Sequence, residues 1–114
     1  MTLRKVYFLS NRTAITAETL GQSLLAQFPD VKFSVVTIPY IDSAQKAEII
    51  VKRINLESHQ TTLKPIVIST LADESISQII HQSDALVLDL FERILPDLES
   101  LIDQHSAHQT GLSH

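Results

Sequence analysis

The chain has no cysteine and no tryptophan, and only two glycines among its 114 residues. Without cysteine there is neither a disulfide frame nor a thiolate metal site. With glycine only at Gly21 and Gly111, and neither preceding Lys-Ser or Lys-Thr, the phosphate-cradling loop G-x-x-x-x-G-K-[ST] is absent. Basic residues are outnumbered, nine against thirteen acidic, giving a net charge of −4. That excludes broad binding to nucleic acid, which needs a surplus of lysine and arginine. Apolar runs last only a few residues, too few for a membrane-spanning helix. Met1 to Ser10 is too short and too strand-like for a signal peptide, so a cytoplasmic, reducing location is the expectation.

What remains is an ordinary globular composition, 44% hydrophobic and 19% charged. Its length suits one domain with one real core. Apolar strand-like runs alternate with helical stripes. Lys5 to Leu9, Val31 to Ile38, Ile66 to Ser69 and Ala85 to Leu88 read as strands, being short and rich in β-branched residues. Between them, Ala17, Leu20, Leu24 and Phe28 form one helical stripe, and Ala44, Ala47, Val51 and Ile54 a second. Ile76, Ile79 and Ile80 mark a shorter helix over 73–82. Ile94, Leu98, Leu101 and Ile102 line a last one. Asp42 with Gln45 predicts a capping-box start for the second helix. Pro96 implies either a late start to the last helix or a kink. Four βα units in series predict an α/β fold. It is a four-stranded parallel sheet with helices on both faces, a flavodoxin- or Rossmann-like βα repeat. The domain is expected over 1–104, with 105–114 a linker.

In open parallel sheets ligands bind beyond the carboxyl ends of the strands, at a topological switch point. That nominates Ser10 to Thr13, Pro39 to Ser43, Ser69 to Ala72, and Asp89 with Leu90. Ser10, Asn11, Arg12, Thr13 and Thr16 place hydroxyls, an amide and a cation around the start of the first helix. The free N–H groups and positive dipole end there favour an anion such as phosphate. The alternative is that Asn11 or Thr13 only caps the helix; both readings stay open. Tyr40, Thr70 and Asp89 are the other strand-end candidates. Asp89 is read as a metal ligand, a hydroxyl-positioning group, a base or a helix cap. Tyr40 and Phe91 either flank a flat ligand or close the core, and Glu18 faces solvent. His105, His108 and His114 lie in the tail with no carboxylate beside them, so no native metal site is expected.

The run Phe8-Leu-Ser-Asn-Arg-Thr-Ala-Ile-Thr-Ala-Glu-Thr-Leu-Gly21 resembles the opening of the phosphoenolpyruvate synthase regulatory protein family. Gln27-Phe-Pro29, Thr37-Ile-Pro-Tyr40, Asp89 and the closing Gly111-Leu-Ser-His114 are similar too. The resemblance implies a bifunctional enzyme. It uses ADP to phosphorylate a threonine of phosphoenolpyruvate synthase, and reverses this with inorganic phosphate, releasing pyrophosphate. It further implies that the nucleotide loop belongs to a C-terminal P-loop kinase domain beyond the 105–114 linker. The implied partners are phosphoenolpyruvate synthase, that C-terminal domain and a second copy, with no cofactor held by this stretch itself. Ser10, Thr13, Thr16 and Glu18 match the family's opening pattern. Asn11 stands where the family usually has aspartate, and so cannot supply an acid, base or charged metal ligand. Arg12 replaces a small residue. A flavodoxin-like or other small anion- or nucleotide-binding α/β module is the alternative; against a flavin stand the missing loop glycine and an aromatic content of 5%.

Overall fold

The computed structural model describes residues 3–107, and strands and helices alternate through it. The elements are β1 (Arg4–Leu9), α1 (Ile15–Leu25), β2 (Phe33–Ile38), α2 (Ala44–Ser58), β3 (Ile66–Ser69), α3 (Glu74–His81), β4 (Leu86–Asp89) and α4 (Leu90–Ile102). The strands form one parallel sheet in the order β2-β1-β3-β4. The α/β class and parallel sheet expected from the sequence are therefore what the chain adopts. Leu9 pairs with Ile38 on one side and Ser69 on the other, so three strand ends meet at one level.

Side chains alternate across a strand, and β1 shows the consequence. Tyr7 and Leu9 enter a core with α2 and α3, whose buried residues include Ala47, Ile50, Ile54, Ile76 and Ile80. Val6 and Phe8 enter a smaller core on the opposite face with Ala17 of α1 and Ile68 of β3. Helices thus cover both faces, as expected.

Two helices present faces that the stripes did not predict. α1 buries Ala17 and Gly21, while Leu20, Leu24 and Phe28 stay exposed. The reason is steric: a Cβ at Gly21 would lie 2.4 Å from Cε1 of the buried Phe8 ring. The helix turns its small residues to the sheet because the ring already fills that space. α4 begins at Leu90, so Pro96 sits inside it and the late start is excluded. None of α4's residues is buried, including Ile94, Leu98, Leu101 and Ile102. At α2 the cap is Ser43, whose Oγ accepts the Lys46 N–H at 3.2 Å, rather than Asp42. Asp42 instead forms an ion pair with Lys46 at 2.8 Å. At α3, Asp73 accepts N–H bonds from Ser75 and Ile76, and its bonds from Ser75 foremost hold its carboxyl below the usual range.

β1 is also tied to α2. The Tyr7 hydroxyl donates to Glu57, which Arg53 contacts at 2.9 Å and Lys5 at 3.5 Å. Burial and then the Glu57 carboxylate push the Tyr7 hydroxyl well above its ordinary pKa. Burial works against the Glu57 carboxylate, but bonds from Tyr7 and Arg53 and the Lys5 charge outweigh it and hold its pKa low.

Two outcomes follow. Gly21→Ala gains about 1 kcal/mol of helix propensity but overpacks Phe8 at a cost of about 1–3 kcal/mol. Chemical denaturation should show a net loss of up to about 2 kcal/mol. The raised Tyr7 pKa makes the folded state hold its proton more tightly, so that contribution is complete below pH about 10 and lost above it. The lowered Glu57 pKa gives the opposite limb, with stability lost as pH falls below about 4. Tyr7→Phe should flatten the alkaline limb of a stability–pH curve and leave part of the acid limb.

Candidate functional site

The strand order reverses at β1, so the ends of β1 and β3 define the switch point. Ser10 lies there and is buried, at 1% exposure. Its N–H donates to the Ile38 carbonyl at 3.3 Å, and its own carbonyl accepts the Ile41 N–H at 2.9 Å. Its hydroxyl accepts the Arg12 N–H at 3.1 Å. Ser69, its neighbour on β3, repeats the device: its hydroxyl accepts the Leu71 N–H at 3.1 Å. Each serine therefore turns its chain sharply as it leaves the sheet. Two more bonds lace the loops together, Tyr40 N–H to the Arg12 carbonyl at 2.9 Å and Thr70 N–H to the Leu9 carbonyl at 3.0 Å.

α1 starts from this corner without a side-chain cap. Its N-cap is Ala14, in the left-handed region at φ 71°, and neither Asn11 nor Thr13 takes the capping role left open from sequence. The first helical bond is Glu18 N–H to the Ala14 carbonyl at 2.9 Å. A helix starting this way offers uncapped N–H groups and the positive end of its dipole to whatever lies beyond. Arg12 and Thr13 are exposed beside it, and Thr16 is half-buried in its first turn. Asn11 is half-buried, and its Oδ1 accepts no hydrogen bond from the described residues. Glu18 is exposed as expected, and its carboxylate accepts the Thr37 hydroxyl of β2 at 3.1 Å.

The sequence places Asp89 in the same crevice, whereas the structure sets it in a second place. A cleft of about 490 Å³ runs between α3 and α4, lined by Ser77, His81, Asp89, Phe91, Glu92 and Leu95 among others. Neither Tyr40 nor any of residues 10–16 lines it, so Tyr40 and Phe91 do not flank one ligand. Tyr40 is exposed, with φ 61°, and closes no core. Thr70 is buried at the β3 end, between the two places.

Asp89 has an exposure of 4% and uses both oxygens. Oδ1 accepts the Glu92 N–H at 3.1 Å, capping α4, and Oδ2 accepts the Ser77 hydroxyl at 2.6 Å. His81 Nε2 lies 3.1 Å from Glu92 Oε2, and one donor atom each of His81, Asp89 and Glu92 fall within 4.8 Å of one another. Ser77, His81 and Glu92 were not identified from sequence. The one available signal was the four-residue spacing of Ser77 and His81, which puts both on the α3 face opposite the β4 end. Nitrogen and carboxylate donors of this kind suit a divalent ion, but Asp89 is already satisfied by a backbone cap and a hydroxyl. Of the tail histidines, His105 is exposed, and His108 and His114 lie outside the described residues.

Comparison with known proteins decides what this arrangement belongs to. Residues 6–114 match the family described as Kinase/pyrophosphorylase. The chain belongs to the kinase/pyrophosphorylase family. Its relatives include two Pseudomonas fluorescens proteins, from strains SBW25 and Pf-5, 42% and 43% identical to it over 111 residues. A third, from Pseudomonas savastanoi pv. phaseolicola, is 41% identical. All three carry the name phosphoenolpyruvate synthase regulatory protein. Each alignment takes in 97% of this chain but only 41% of the relative.

In this kinase/pyrophosphorylase chain the two places differ in what they offer. The corner at α1 presents uncapped N–H groups, hydroxyls and Arg12, whereas Asp89 in the cleft is a fully engaged anchor for α3 and α4. Asp89→Ala should therefore act on stability. It removes a helix cap, about 1 kcal/mol, and a charge-assisted bond of about 1.5–3 kcal/mol to a buried hydroxyl. Urea denaturation should show a loss of about 2.5–4 kcal/mol, with Asp89→Asn milder. An unchanged midpoint would refute the anchoring role.

Proposed function

We propose that this chain is the N-terminal α/β part of a regulator that phosphorylates phosphoenolpyruvate synthase and removes that phosphate again. The observation that carries the reading is the match to kinase/pyrophosphorylase relatives along almost the whole chain. In this reading ADP donates a phosphoryl group to a threonine hydroxyl of the synthase, leaving AMP. Inorganic phosphate later takes the group back as pyrophosphate. The regulator works in the cytoplasm.

This stretch is poorly suited to hold the nucleotide. Gly21 is buried in α1 against Phe8, so no described glycine lets backbone approach a diphosphate. ADP is accordingly assigned to the larger part of the family polypeptide that this chain does not match. A single phosphate group suits the corner better. The uncapped start of α1 supplies N–H donors, Thr13 and Thr16 supply hydroxyls, and Arg12 supplies positive charge. Asn11 adds an amide where a carboxylate would repel the anion.

Two measurements test this. Millimolar phosphate or pyrophosphate should shift the backbone amide signals of residues 13–17, and Thr13→Ala with Thr16→Ala should weaken that response about 2–10-fold per lost hydroxyl. Signals that do not move would remove the anion seat. The full-length protein carrying this sequence, mixed with ADP and phosphoenolpyruvate synthase, should yield phosphothreonine on the synthase. No phosphothreonine would overturn the regulatory reading itself.

A further inference from the structure

α4 is capped by Asp89 and packs on the core only at its start, through Leu90. It is 13 residues long, a length at which an isolated helix is marginal in water. Pro96 in its interior removes one hydrogen bond and costs a helix roughly 3 kcal/mol. Packing of an apolar face normally makes good such a deficit, yet no residue of α4 is buried and β4 is its main neighbour. The apolar face exists all the same. Ile94, Leu98, Leu101 and Ile102 recur at helical spacing and are 53%, 45%, 84% and 60% exposed. The helix is also properly closed: Asp103, at φ 59°, ends it and donates its N–H to the Glu99 carbonyl at 2.9 Å.

The neighbouring surface is thinly covered as well. The core under α2 and α3 has twelve buried residues, whereas the one under α1 has four, with Leu88 of β4 and Leu90 of α4 among the half-buried residues packed against it. On α1 and just after it, Leu20, Leu24 and Phe28 face outward. A monomer rarely leaves this much large apolar surface uncovered without a partner.

We infer that the α4 stripe, Ile94, Leu98, Leu101 and Ile102, is the surface on which the remainder of the family polypeptide packs. Length argues for this occupant. The relatives match 97% of this chain with only 41% of their own residues, so each has a larger part, joined to this domain by the chain itself, that is at hand to cover such a face. The family match runs through α4, so the helix belongs to the shared fold. The stripe carries no charge, which suits a permanent apolar contact rather than a transient one. The inference rests on family membership and not on the activity proposed above.

Amide hydrogen exchange on the 114-residue chain and on the full-length P. fluorescens SBW25 relative tests it. The α4 amides of this chain should exchange fast, and those of the equivalent helix in the relative about 100-fold more slowly. Leu98→Asp with Leu101→Asp should leave the melting temperature of this chain unchanged within about 2 °C, since both side chains are already exposed. Aspartate at the two positions of the relative that correspond to Leu98 and Leu101 should abolish the protection and lower its melting temperature. Equal exchange in both proteins, or silent substitutions in the relative, would overturn the inference. So would protection that rises with the concentration of the 114-residue chain, because that would place a second copy on the stripe. None of these readouts depends on phosphorylation of the synthase.

Discussion

Val6, Tyr7, Phe8 and Leu9 have no exposure, and β1, which carries them, is hydrogen-bonded to β2 on one side and β3 on the other. Each face of the sheet is built on alternate members of that run. Phe8 fixes how closely α1 approaches, and Tyr7, with Lys5 beside it, ties α2 to the sheet through polar contacts with Glu57. Because β1 ends level with both neighbours, the loops that leave it have nowhere to go but the switch point. The position of Ser10, and with it the start of α1, is a consequence of that pairing.

The division of the protein into a hydroxyl-lined corner and an acid-anchored cleft follows from the same geometry. The α1 corner grows out of β1, the strand at which the order reverses. Asp89 ends β4, an edge strand, where its first task is to begin α4 and secure α3 through Ser77. Two residue sets that a sheet rule groups together thus serve different ends, one facing outward and one locked.

The strands and the parallel architecture were legible because short β-branched runs have few other uses, and their bounds fell within about two residues. α1 misled because its buried face is made of Ala17 and Gly21, which carry little hydrophobic signal, while Leu20 and Leu24 look outward. That choice is set by a ring on another element, beyond the reach of any local pattern. In α4 the stripe was legible, but its burial depends on what lies opposite, and no periodicity encodes that. At the candidate site, Ser10, Thr13 and Thr16 could be found from their position after the first strand. Ser77, His81 and Glu92 come to Asp89 from two helices, a meeting that exists only once the chain is folded.

Ala14 and Tyr40 both hold left-handed backbone without being glycine, and both flank the same strand ends. Each conformation costs about 1–2 kcal/mol when a side chain is present, and the surrounding bonds from Tyr40 to Arg12 and Ile41 to Ser10 sustain it. The corner is consequently shaped before any ion arrives, with its loop entropy already spent during folding. A small anion, having few atoms with which to organise a floppy loop, would meet a rigid rim instead.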